Sequence, residues 1–143
     1  MIRIQREDFD VGTETAALAE GDTGVGGLCV FVGTVRGEVP AMTLEHYPGM
    51  TERQLEAIEA EARRRWPLSD VRIIHRIGRL EAGERIVLVA AASAHREAAF
   101  RATEFLIDWL KTKAPFWKCE HKAGGDVWVD ARDSDEQATL KWR

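Results

Sequence analysis

At 143 residues the chain has the size of one ordinary domain, large enough for a real core, and 45% hydrophobic with 31% charged residues is the balance of a globular protein. No segment approaches the ~18 consecutive apolar residues that span a bilayer, and the amino terminus lacks the apolar run of a signal peptide, so a cytoplasmic protein with no membrane partner is expected. The net charge of −4 argues against nucleic acid as a general partner, and two cysteines, Cys29 and Cys119, are too few for a disulfide framework and are expected to be reduced and half buried.

Ile2 to Ile4 alternate with polar residues as in a short strand, and Asp8 to Glu20 can hold a short, weakly capped helix. Gly21 to Gly27 is a turn-rich approach to a strong strand, Leu28 to Arg36, apolar on both faces and therefore expected to be central, with Arg36 at its end. After the Gly37 to Ala41 loop, Met42 to Tyr47 can return antiparallel to it. Pro48-Gly49 is a turn. Thr51 with Gln54 reads as a capping box and Met50 with Leu55 as a hydrophobic staple, opening a helix whose stripe is Leu55, Ile58, Ala62 and Trp66 and which Pro67 stops.

Val71 to Ile77 alternates as a strand, Gly78 to Glu84 reads as a turn, and Ile86 to Ala92 is a nearly continuous apolar run, the mark of a strand covered on both faces. Ser93 is a candidate N-cap for the helix that follows, in which Ala98, Ala102, Phe105, Leu106, Trp109 and Leu110 recur at spacings of three and four. Pro115 ends that helix and sends Phe116 to His121 out as a strand, with Trp117 and Cys119 on the core face and Lys118 and Glu120 opposite. Gly124-Gly125 is a turn, Val127 to Val129 a last short strand, and Asp130 to Arg143 a charged tail without an obvious buried face. The order β-α-β-β-α-β-β-α-β-β predicts a single α+β domain over 1–143, helices packed on a mostly antiparallel sheet.

Several chemistries find no support. His46, His75, His95 and His121 are isolated and Cys119-x-His121 lacks a second pair, so no metal site is expected. Gly24 to Gly27 is a flexible turn rather than a phosphate loop, and the Arg63-Arg64-Arg65 run reads as a solvated helix end. Cations at element ends are more informative. His95-Arg96 at a helix start resembles an anion-binding element, and Lys111 and Lys118 flank the proline turn, where lysines near other cations can serve as base, nucleophile or proton donor. His95 and Lys111 are sixteen positions apart, roughly 24 Å along a helix axis at 1.5 Å per residue. One pocket in one chain cannot easily use both; a symmetric dimer can.

Phe31-Val-Gly-Thr-Val-Arg36, Leu44-Glu-His-Tyr-Pro-Gly-Met50, His75-Arg-Ile-Gly78, Ser93-Ala-His-Arg96 and Leu110-Lys-Thr-Lys-Ala-Pro-Phe-Trp-Lys118 occur in one order over nearly the whole chain. Together they resemble the MoaE family, the catalytic (large) subunit of molybdopterin synthase. The resemblance implies an α/β hammerhead-like fold and a sulfurtransferase that converts cyclic pyranopterin monophosphate into molybdopterin by inserting dithiolene sulfurs, in molybdenum cofactor biosynthesis. It implies a small ubiquitin-like sulfur-carrier partner ending in a Gly-Gly thiocarboxylate, a homodimer within a heterotetramer, and no cofactor. Family binding positions match Thr34, Val35, Arg36, His95, Arg96, Lys111, Lys118, Cys119 and Glu120, with His95 and Arg96 given across the dimer and Lys111 and Lys118 as the catalytic pair. Two departures stand out: the loop after Arg36 is short, and Cys119 occupies a position where a basic residue is common in relatives. A different class of reading is a non-catalytic module that binds a phosphorylated ligand, which would show binding without turnover.

Overall fold

The computed structural model describes residues 1–129 and 133–143. Strands β1 (Ile2–Gln5), β2 (Gly27–Thr34), β3 (Ala41–His46), β4 (Asp70–Arg76), β5 (Gly78–Glu81), β6 (Arg85–Ser93), β7 (Phe116–Lys122) and β8 (Gly125–Val129) divide into two four-stranded sheets. One runs β1-β4-β6-β2, the other β5-β3-β7-β8, and every pairing is antiparallel except β1 with β4. Helices α1 (Val11–Ala19), α2 (Met50–Arg65), α3 (Arg96–Lys113) and α4 (Asp133–Leu140) complete the chain. The fold is α+β, as the pattern of elements predicts.

The apolar run of β6 is explained by helices on both of its faces. On one, Leu55, Ile58 and Ala62 of α2 and Phe105, Leu106 and Leu110 of α3 enclose Val71, Ile73, Val87 and Val89. On the other, Phe9 and Leu18 cover Ile74, Leu88, Ala90 and Ala92. Each fully buried Leu or Phe of this kind contributes about 2–3 kcal/mol through the water it sheds. Asp10 caps α1 by accepting from the Thr13 N–H at 2.7 Å, and Glu14 fixes the helix to the sheet by accepting from Arg3 of β1 and, at 2.6 Å, from Arg72 of β4. A third cluster, Val35, Met42, Leu44 and Leu80, fills the seam between the sheets.

Several expectations are corrected. β2 lies at a sheet edge rather than in the centre: its Cys29 face meets α3 and its Val30 and Val32 face meets the cluster of Phe9 and Leu18, which accounts for the apolar pattern, while among the described residues its outer edge is unpaired and Leu28 and Phe31 are partly exposed. β3 pairs with β5 and β7 in the other sheet instead of returning along β2. The supposed turn after Ile77 contains β5: Gly78 adopts φ +88°, which lets the chain leave one sheet and enter the other, and a side chain there would strike the Arg6 guanidinium.

Helix starts also shift. Ser93 closes β6, its hydroxyl donating to the Pro67 carbonyl at 2.7 Å, and His95 takes the N-cap position of α3. Gly49 caps α2, its N–H donating to Glu52 at 3.2 Å, while Met50 is exposed and makes no staple. Thr51 is fully buried for another reason: its hydroxyl accepts from the Tyr47 N–H at 2.9 Å and donates to the Pro115 carbonyl at 3.1 Å, joining two distant turns.

The charged tail is in part structural. Of it, residues 130–132 lie outside the described residues, but 133–140 form α4 and Trp142 is buried in the main core. Its indole N–H donates to Asp108 at 2.7 Å, and its ring meets Trp66 and Phe105 edge to face. The arginine run is mostly paired rather than free in solvent: Arg63 with Glu59, Arg64 and Arg65 with Glu61, and Arg65 also over the rings of Phe105 and Trp109.

Candidate functional site

A cavity of about 720 Å³ opens at the seam where the two sheets meet the C-terminal end of α3. Three separate parts of the chain deliver its charged groups. Thr34 and Arg36 come from the end of β2 and the residues after it, Lys111 from the last turn of α3, and Lys118 and Glu120 from β7. Strand period explains the last pair: Lys118 and Glu120 share one face of β7, while Cys119 between them is buried on the other. The proline turn that reverses the chain from Lys111 to Lys118 is held by Thr51 through the Pro115 carbonyl.

The site therefore brings together Thr34, Arg36, Lys111, Lys118 and Glu120 of the residues singled out in the sequence. Val35 does not line it, because its side chain turns into the apolar seam cluster. Cys119 does not line it either; burial, then the carboxylates of Asp126 and Glu45, push its thiol above the ordinary range and hold it in the unreactive protonated form. His95 and Arg96 stand at the opposite end of α3 from Lys111 and take no part in this cavity.

The short loop after Arg36 folds inward, with Val39 buried at the cavity wall and Arg36 itself exposed, 4.0 Å from Glu38. Glu120 faces Lys122 at 3.5 Å. Cations on three walls make the cavity suited to an anion, and the mixed apolar lining of Phe31, Met42, Leu44 and Phe116 suits a flat organic body.

His75 lines the cavity and was not singled out from the sequence beyond its place in the His75-Arg-Ile-Gly78 segment. It is 5% exposed, stacks on Phe116, and its Nδ1–H donates to the Arg76 carbonyl at 2.8 Å. Burial is the main cause that lowers its pKa to about 4, with Lys111 and His46 adding to the effect, so at neutral pH the ring is uncharged.

Strand pairing also supplies Cys119-x-His121 with a third neighbour. The donor atoms of Cys119, His121 and Asp126 lie within 4.8 Å of one another. Both ring nitrogens of His121 are engaged, Nδ1 with Asp126 at 2.9 Å and Nε2 with Thr43 at 2.6 Å, so an ion would have to break a formed hydrogen-bond line. Among the described residues no helix is long and apolar enough to cross a membrane.

Residues 4–113 match the family model described as MoaE protein. The chain is 54% identical to the molybdopterin synthase catalytic subunit of Pseudomonas aeruginosa over 99% of its own length and 97% of that protein. Among solved structures it is similar to the molybdopterin biosynthesis MoaE protein from Burkholderia ambifaria, at 55% identity and TM-score 0.88, covering 99% of this chain and 97% of that one. It shares its fold, at 21% identity and TM-score 0.77, with a chain in the complex of subunits 1 and 2 of molybdopterin-converting factor from Helicobacter pylori, covering 92% of this chain and 91% of that one.

Proposed function

The chain belongs to the MoaE family, the catalytic subunits of molybdopterin synthase, and on that premise we propose that its seam cavity is where sulfur is inserted into a pterin. The substrate is cyclic pyranopterin monophosphate, the product is molybdopterin, and the sulfur comes from the thiocarboxylate at the Gly-Gly end of a small ubiquitin-like subunit. The observation that carries this reading is the convergence of Arg36, Lys111 and Lys118 from β2, α3 and β7 on one cavity.

Roles follow from charge. The carrier's thiocarboxylate is an anion, and Lys111 orients it and assists its attack on the substrate carbon; Lys118 polarises that carbon or moves the accompanying proton. Arg36 holds the cyclic phosphate and stabilises charge as the ring opens, with Thr34 and Glu120 completing the wall. A cytoplasmic location, as the composition leads one to expect, is part of the same proposal.

His95 and Arg96 join this site from a second copy. Two lengths support the pairing. The helix separates His95 from Lys111 by roughly 24 Å, and β2 runs about 23 Å, at 3.3 Å per residue, from Gly27 to Thr34. Gly27 packs against the backbone of Arg96, and Thr34 lines the cavity. The free edge of β2 and the adjoining surface of α3 expose Leu28, Phe31 and Phe100. A two-fold meeting along this edge lays the Gly27 end of one copy, with its His95 and Arg96, beside the Thr34 end of the other. One carrier subunit at each cavity then gives a heterotetramer.

The test is to mix the purified protein with cyclic pyranopterin monophosphate and a thiocarboxylated carrier. Molybdopterin is expected, and Lys111→Ala abolishes it. Binding of the pterin without product would favour a non-catalytic phosphate-binding module instead.

A further inference from the structure

His75 is a buried histidine at the wall of a cavity built from cations. Its tautomer follows from its partner: a carbonyl oxygen only accepts, so the 2.8 Å contact with the Arg76 carbonyl places the proton on Nδ1. The uncharged ring then carries a lone pair on Nε2, and among the described residues the ring's hydrogen bond is the one at Nδ1. The ring cannot turn away, because it lies flat on Phe116 with centroids 3.7 Å apart and planes 14° from parallel.

The charged and titratable groups around His75 limit what Nε2 can receive. Lys111 on α3 and His46 on β3 are the groups whose charge it feels; β6 opposes it with Val87 and β1 with Ile4. The Arg76 guanidinium is spent on the Arg6 and Arg85 carbonyls and on Glu84. Lys111 is exposed at the open cavity, where water can solvate its ammonium. A ligand that fills the cavity strips that water, and the ammonium then needs an acceptor. A carboxylate such as Glu120 would cancel its charge; a neutral imidazole orients it and leaves the charge available to an anion.

We propose that His75 is the positioning residue for Lys111: in the filled cavity its Nε2 accepts one N–H of the Lys111 ammonium and aims the remaining N–H groups at the carrier's terminal carboxyl-derived group. This rests on the reading of Lys111 given above. No bond to His75 forms or breaks, and no proton leaves Nδ1.

The experiment pairs kinetics with ring-nitrogen NMR. His75→Phe keeps the stack on Phe116 and removes the acceptor, so kcat falls on the order of 10²-fold, as for a misplaced reacting group, while KM for the pterin stays within about threefold. His75→Gln, whose side-chain carbonyl reaches toward the position of Nε2, recovers most of that rate. Equal rates in all three proteins, or equal losses in both variants, overturn the proposal. In the complex with the carrier in its plain carboxylate form, the ¹⁵N resonance of Nε2 in the unsubstituted ring is expected to shift on binding in the parent protein and not in Lys111→Met. A shift of the same size in Lys111→Met refutes the His75 contact while leaving the role of Lys111 standing. Full turnover by Lys111→Ala would instead remove the reading beneath it, so the two failures are distinguishable.

Discussion

The imidazole of His75 stacks on the ring of Phe116 inside the seam cavity, joining β4 of one sheet to β7 of the other. Because burial lowers the pKa of His75 from 6.5 to about 4, the unfolded chain binds a proton that the folded one refuses between those values. Stability from this group is therefore complete above about pH 6.5 and is lost as the pH falls toward 4. Between pH 7.5 and 4.5 the loss is on the order of 2–3 kcal/mol. Urea unfolding at the two pH values measures it, and His75→Phe should show a drop smaller by about that amount.

The two ends of α3 give a complementation test. Arg96→Ala and Lys111→Ala proteins are each expected to be inactive alone. After subunit exchange, some mixed dimers hold one cavity with Lys111 intact and Arg96 supplied by the other copy, so part of the activity returns. Proven exchange without any recovery would count against a shared site.

Exposure of Leu28 and Phe100 along β2 and α3 makes a prediction about assembly. Leu28→Asp with Phe100→Asp places charge on the apolar strip without entering the cavity. Sedimentation should show monomers, and turnover should fall with dimer content. A dimer of unchanged mass that keeps full activity would exclude this edge as the contact.

Trp142 buries its ring against Trp66 and Phe105 and donates to Asp108. Trp142→Ala should lower stability by about 3–5 kcal/mol, the usual cost of emptying a large aromatic site. Chemical denaturation at neutral pH gives the value directly. A change under 1 kcal/mol would mean that α4 is only loosely held.

Thr51 ties the Tyr47 turn to the Pro115 turn. Thr51→Val keeps the shape and removes two partly buried hydrogen bonds, at a cost of about 1 kcal/mol. The turn carrying Lys111 toward Lys118 loses its brace, so kcat should fall more than KM rises. A stability loss with unchanged kcat would limit Thr51 to folding.

Much of this was legible in the sequence for physical reasons. The unbroken apolar run of β6 forces cover on both faces, the three-and-four spacing of α3 fixes one buried stripe, and Pro115 fixes where Lys118 emerges. Alternation alone separated Lys118 and Glu120 from Cys119, but it also sent Trp117 to the core face, and that ring is instead exposed beside Tyr47. What failed was neighbour choice. An apolar strand such as β2, packed on both faces, looks central whether or not its outer backbone edge is paired, and β3 follows β2 in the chain without pairing with it, because the second sheet offers it two partners. Helix α4 has little apolar period, and what ties it down is the hydrogen bond between Thr139 and Thr112 together with Lys141 and the buried Trp142 beyond its end. His75 was invisible as a site residue because a polar residue in an alternating strand looks the same whether it meets solvent, a core or a cavity.

The split of the strands into two sheets has a mechanical consequence. Among the described residues no strand ladder bridges the layers, so apolar filling and connecting turns do most of the joining, and the cavity sits on that join. Anything lodged there acts as a rivet, adding its own grip to the cohesion of the layers. Amides of the β5-β3-β7-β8 layer should then exchange with deuterium fastest when the rivet is missing and slow down together when it is driven home.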